Sequence, residues 1–180
     1  MSRSDPDKKK RRAASQTLLM YGEGLGEEVF LKYLRGLYAR DSGVAVTIRN
    51  GKGGNAANII IDASNTPGEF DKRIVVLDND KGKAEMEQAR QEAAKRGVCL
   101  IENSPCLEAT LLAVLNGGKN YSGKQSGWCK EQFQEKYLDK KKRTELCEYG
   151  KIFPKILLDK QRSKVPELEK IISAMEGGIS

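Results

Sequence analysis

The chain has 180 residues, enough for one domain with a real core and a small appendage, and its 32% charged and 38% hydrophobic residues describe a polar globular protein. It contains no histidine, which excludes Ser-His-Asp and Cys-His triads, His-ligated zinc and imidazole acid–base chemistry. A net charge of +7 favours an anionic partner.

Four cysteines, Cys99, Cys106, Cys129 and Cys147, lie too far apart for any Cys-x-x-Cys pair, so a four-thiolate zinc site is not expected. With no signal-like segment and no long apolar run, the expected setting is a reducing cytoplasm without a membrane partner. Residues 1–16 hold six basic side chains against two acidic ones. Their Lys8–Arg12 run reads either as a solvated disordered tail or as a basic arm that binds nucleic acid.

In chain order, Thr17–Met20 is a short apolar run that reads as a strand, and Tyr21-Gly-Glu23-Gly24 follows as a tight turn. A helix is predicted from about Gly26 to Arg40, with Glu27 and Glu28 in its first turn and Val29, Phe30, Tyr33, Leu34 and Leu37 on one face. Val44–Ile48 is a β-branched strand. The glycine-rich turn Arg49–Asn55 then enters a helix near Ala56–Ala63. That turn lacks Walker A spacing; it reads as a flexible surface loop or as a phosphate cradle to which Lys52 contributes.

Ile74–Leu77 is an unbroken apolar run that stops on Asp78 and Asp80, as a strand covered on both faces does. A polar helix is predicted over Lys83–Arg96, closed by Gly97, then a strand over Val98–Ile101 and a helix from about Leu107 to Leu115 with Ser104 as N-cap and Pro105 in first position. Strands alternating with helices predict a parallel α/β sheet with right-handed crossovers over residues 17–116. Residues 117–180 change texture: a polar loop with Lys119 and Lys124, a basic helix from Trp128 to about Arg143, a break at Tyr149-Gly-Lys151, and short helices from about Pro154 and Pro166. This helical extension is expected to pack on the sheet.

Glu23, Asp78, Asp80 and Glu108 each follow a strand or open the helix after it, and in a parallel sheet such positions share one edge. Converging carboxylates repel unless a cation neutralises them, and Mg²⁺ (or Mn²⁺) suits hard oxygen ligands. Glu108 alone has a second reading, as a dipole partner at a helix N-terminus.

The Leu19-Met-Tyr-Gly-Glu23-Gly24 segment and Val75-Val-Leu-Asp78-Asn-Asp80 resemble the Toprim fold of topoisomerases, primases and old-type nucleases. Adding Glu23-Gly-Leu-Gly-Glu27-Glu-Val-Phe30 and Asn103-Ser-Pro-Cys-Leu-Glu108-Ala-Thr-Leu-Leu112, residues 17–160 resemble the RloB-like family, and Tyr149-Gly-Lys151 resembles its late Tyr-x-Lys element. Asn-Ser-Pro stands where that family has Ser-Asn-Pro, Leu107 replaces its Phe, and Ala109-Thr110 replaces its Leu-Trp.

The resemblance implies a metal-dependent nuclease acting on DNA or RNA, associated with bacterial restriction or phage-defence loci and possible partner proteins of a defence operon. Asp78 and Asp80 would hold Mg²⁺, Glu23 would be a ligand or a general acid/base, and Glu108 would complete a second metal site. Lys119, Lys124 or Lys151 would neutralise the phosphate. The alternatives are a non-catalytic Toprim-like nucleic-acid-binding module and a small-molecule phosphotransferase or nucleotide-sensing α/β protein.

Overall fold

In the computed structural model, which describes residues 14–178, four strands form one all-parallel sheet of order β2-β1-β3-β4 flanked by helices. This is the arrangement expected of a Toprim-like α/β core. The Lys8–Arg12 run lies outside the described residues.

Strand β1 (Gln16–Gly22) is central, and its Leu18, Leu19 and Met20 are buried because helices cover both faces. Helix α1 (Leu25–Tyr38) starts at the end of β1, where the Glu27 carboxylate accepts the Gly24 N–H at 3.0 Å. Strand β2 (Val44–Asn50) is an edge, and α2 (Ala56–Asn65) is capped by Asn55, whose Oδ1 accepts from the N–H groups of Ala57 and Asn58. Strand β3 (Lys72–Asp78) is buried from Ile74 to Asp78, so the apolar run and its first carboxylate sit in the middle of the molecule.

Helix α3 (Lys83–Arg96) closes on Gly97 in the left-handed region at φ 64°. Strand β4 (Cys99–Asn103) is the second edge, and α4 (Leu107–Leu115) is buried on nearly every side. The N-cap of α4 is Cys106 rather than Ser104: Pro105 precedes the helix instead of opening it, and the Ser104–Pro105 bond is cis.

The extension comprises α5 (Ser126–Lys136), α6 (Leu146–Ile152), α7 (Lys155–Gln161), a 3-10 turn at Arg162–Lys164 and α8 (Pro166–Met175). Two expectations change here. Helix α5 stops at Lys136 and does not reach Arg143: Leu138 turns inward and is buried, and the Lys140–Arg143 run follows in turns. Like charges four apart, as at Lys136 and Lys140, oppose helical continuation. Tyr149-Gly-Lys151 lies inside α6 and is no break, since burial of Tyr149 against Phe30 and Phe153 outweighs the cost of a helical glycine.

Two apolar cores lie on opposite faces of the sheet. One joins α2 and α3 to β3 through Ile59, Ile60, Leu77 and Met86. The other joins α1 and α4 to the extension through Phe30, Phe133, Phe153 and Leu168. The extension thus shares a core with the α/β unit, as its apolar residues require. Among the described residues, no helix is long and apolar enough to cross a membrane.

Candidate functional site

The carboxyl ends of β1 and β3 are adjacent strands of a parallel sheet, which brings Glu23 beside Asp78. The segment carrying Glu23 is held from three sides: its N–H donates to the Val76 carbonyl at 3.1 Å, its carbonyl accepts from Gly53 N–H at 2.9 Å, and its Oε2 accepts from Asp78 N–H at 3.1 Å. Gly22 is required here. A Cβ on it would stand 2.7 Å from Glu27 Cβ and 3.1 Å from the Glu28 nitrogen, so only glycine lets α1 pass this close.

Asp78 is only 6% exposed. Its Oδ1 accepts the Leu107 N–H at 2.8 Å, and its Oδ2 faces Lys130 Nζ at 3.6 Å. The same ammonium lies 3.5 Å from Asp80 Oδ2, so Lys130 bridges the two aspartates. Burial, reinforced by the charges of Glu27 and Glu108, pushes the Asp78 carboxyl up to about 8 against the opposing pull of Lys130. Burial also raises Glu27, with Glu108 and Glu23 adding repulsion, although its bonds to backbone N–H groups favour the charged form. Burial pulls Lys130 down, but Asp78, Glu108 and Asp80 outweigh it and hold the ammonium above its ordinary range.

A cleft of about 260 Å³ is lined by the acids Glu23, Glu27, Asp78 and Glu108 together with Lys130 and Arg143. Tyr149 also faces it, and burial followed by the charges of Glu108 and Glu27 raises its phenol. Cys106 is not a poised nucleophile: burial and then Glu108 push its thiol up to about 12.

Of the residues singled out in the sequence, Glu23, Asp78 and Glu108 line this one cleft, and Asp80 joins them through Lys130. The ligand atoms of Glu23, Asp78 and Asp80 are not all within 4.8 Å of one another; among the described residues only Glu145, Cys147 and Glu148 meet that distance, on the surface where Glu148 pairs with Lys151. The four predicted phosphate-binding lysines lie elsewhere than the cleft lining. Lys52 is exposed on the β2–α2 turn at φ 55°, although its neighbour Gly53 does line the cleft. Lys119 and Lys124 lie against Tyr121 and Trp128, and Lys151 is engaged by Glu148.

Three residues of the site were not singled out in the sequence for this role. Lys81 pairs with Glu23 Oε1 at 3.1 Å, also contacts the Gly54 carbonyl, and lies 3.8 Å from Glu85. Its signal was its place directly after Asp80. Glu27 was read as a favourable charge in the first turn of a helix, and its burial against Gly22 gave no separate signal. Lys130 had none, because it reaches Asp78 and Asp80 from across the fold.

No protein-family model matches the chain, and no curated protein or solved structure matches it.

Proposed function

We propose that this chain is a metal-dependent phosphodiesterase acting on nucleic acid, working at the cleft between β1, β3 and α4. The observation that carries this reading is a buried strand-end carboxylate, Asp78, hydrogen-bonded through its own N–H to Glu23 and bridged by Lys130 to Asp80. Such a cluster is under-neutralised, since Asp78 is raised even with Lys130 beside it. A donor set made only of hard carboxylates fits Mg²⁺ or Mn²⁺ and does not fit a thiolate-seeking metal.

Asp78 and Asp80 would hold the ion, with Glu23 completing the set. A bound ion of this kind polarises a phosphoryl oxygen and lowers the pKa of a coordinated water. The chain itself supplies orientation and charge. Leu107 N–H fixes one oxygen of Asp78, Asp78 N–H fixes one oxygen of Glu23, and Lys81 holds Glu23 to the Gly53-Gly54 turn. Lys130 and Arg143 are the cations positioned to meet a phosphate's charge. On this reading the likeness to RloB-like proteins extends to activity, and to work in a restriction or phage-defence setting.

The test is incubation of the protein with plasmid, single-stranded DNA and tRNA in Mg²⁺, Mn²⁺ or EDTA. Cleavage is expected with metal only, and Asp78→Asn is expected to lower it by about 10²-fold or more. One observation favours a second reading, a nucleic-acid-binding module without hydrolysis: Lys81 and Lys130 already pair with all three acids. Binding that survives both EDTA and Asp78→Asn, with no cleavage in any metal, decides for that module.

A further inference from the structure

We infer that the loop and helix from Gly117 to Lys136 carry a stacking platform for single-stranded nucleic acid, with Trp128 stacking on an unpaired base and Lys119 and Lys124 meeting the flanking phosphates. The inference rests on the nucleic-acid reading above and names its substrate class.

Trp128 is on the first turn of α5, whose buried residues are Cys129 and Phe133, and it remains 39% exposed. Behind it lies Tyr121, which is buried, with ring centroids 6.2 Å apart and planes 27° from parallel. The Lys124 ammonium is 5.2 Å from the Trp128 ring centroid, and that of Lys119 is 5.7 Å from the Tyr121 centroid. Two aromatic rings, one fixed and one exposed, thus alternate with two cations. A lone exposed tryptophan needs no explanation. A rigidly backed one flanked by lysines has the composition of a surface that stacks bases and follows a phosphate chain.

Charge points the same way. Residues 117–143 hold eight Lys and Arg against three Asp and Glu, whereas residues 17–116 and 144–180 together are slightly acidic, with eighteen against twenty. The basic excess of the described chain is therefore concentrated where the exposed ring is. Helix α5 also links the platform to the acids: Lys130, two residues beyond Trp128, contacts Asp78 and Asp80. Duplex bases are already stacked on one another and offer no free face, so the platform selects unpaired nucleotides. An exposed lysine–indole contact is weaker than base stacking, so an arriving base displaces Lys124, whose ammonium then meets phosphate.

Trp128 is the sole tryptophan, so indole fluorescence reports on this surface alone. The full chain is titrated in EDTA with a 12-nucleotide oligo(dT), a 12-nucleotide oligo(U), a 12-base-pair duplex and a polyglutamate peptide of equal charge. Both single strands are expected to quench the indole and to bind at least tenfold more tightly than the duplex, as measured by anisotropy of labelled oligonucleotides. Trp128→Ala is expected to weaken single-strand binding about 5- to 150-fold, and Trp128→Phe to retain most of it. Lys119→Gln and Lys124→Gln should each reduce the salt slope of log K by about 0.7. Circular dichroism melting of each variant shows that it folds. Equal single-strand affinity in Trp128→Ala, duplex binding as tight as single-strand binding, or polyglutamate quenching as strong as the oligonucleotides' overturns the platform. EDTA keeps the result independent of hydrolysis, so metal-dependent cleavage can stand if the platform fails, and the platform can stand if cleavage is absent.

Discussion

Replacing Asp78 by Asn separates what the buried carboxylate costs the fold from what it gives the site. The amide is nearly the same size and its oxygen can still accept the Leu107 N–H. In the unfolded chain Asp78 has the ordinary value of 3.8, whereas in the folded protein burial and the nearby Glu27 and Glu108 push it up to about 8. The folded state therefore holds a proton that the unfolded state releases. Stability associated with this group is fully present below pH 3.8 and is lost as the pH rises towards 8. Asn does not titrate, so the variant keeps that stability. At about 1.4 kcal/mol per pH unit, the variant gains at most about 4 kcal/mol over the native protein between pH 5 and pH 8. For a chain of this size that corresponds to a relative rise in Tm of roughly 8–16 °C. Thermal or urea unfolding at pH 5, 6, 7 and 8 measures it. Mg²⁺ should narrow the gap by stabilising only the native protein, by about 2.7 kcal/mol at a hundred times its Kd. A stability difference that is flat from pH 5 to pH 8 refutes the buried, raised carboxyl, and equal Mg²⁺ stabilisation of both proteins refutes Asp78 as a ligand.

Lys130→Gln removes an ammonium that competes with a metal for Asp78 and Asp80. Two half-exposed ion pairs together contribute about 1–2 kcal/mol, so the Mg²⁺ concentration giving the half-maximal thermal shift should fall about 5- to 30-fold; an unchanged or higher value argues against a shared site. Gly22→Ala forces its Cβ against the α1 backbone near Glu27 and Glu28, at an expected cost of about 1–3 kcal/mol in urea unfolding. Gly24→Ala is the comparison: its backbone is extended and its Cβ would meet nothing nearer than Glu27 Oε2 at 3.4 Å, so it should cost only what alanine costs at a helix N-cap, about 0.5–1 kcal/mol.

The sheet was legible because it is built from apolar runs: Leu18–Met20 and Ile74–Leu77 are too short for buried helices and end on turn or acidic residues, which favours strands covered on both faces. Glu23 and Asp78 were legible for the same reason, since parallel strands end on one side and residues just past those ends must meet. The extension was less legible. Nothing local separates the helical Tyr149-Gly-Lys151 from a turn; it is helical because Tyr149 and Phe153 complete an aromatic cluster with Phe30, a contact made across more than a hundred residues. The end of α5 differs from expectation because the mostly polar, basic stretch has no glycine or proline to stop a helix, while the structure is decided by one residue, Leu138, that turns into the core.

Lys130 shows most clearly why a site cannot be read from strand ends alone. Its helix presents little apolar surface, yet Cys129 and Phe133 anchor it beside α4, and that anchoring delivers the intervening lysine to Asp78 and Asp80. Lys81 does the equivalent from the strand-end turn, holding Glu23 and the Gly54 carbonyl together. Each lysine answers a specific physical demand, because buried carboxylates this close repel one another unless a cation stands between them. One cation comes from the α/β unit and the other from the extension. It follows that the extension is part of the acidic cleft itself: without α5, Asp78 would lose its one ion-pair partner among the described residues, and its carboxyl would be driven further towards the neutral form.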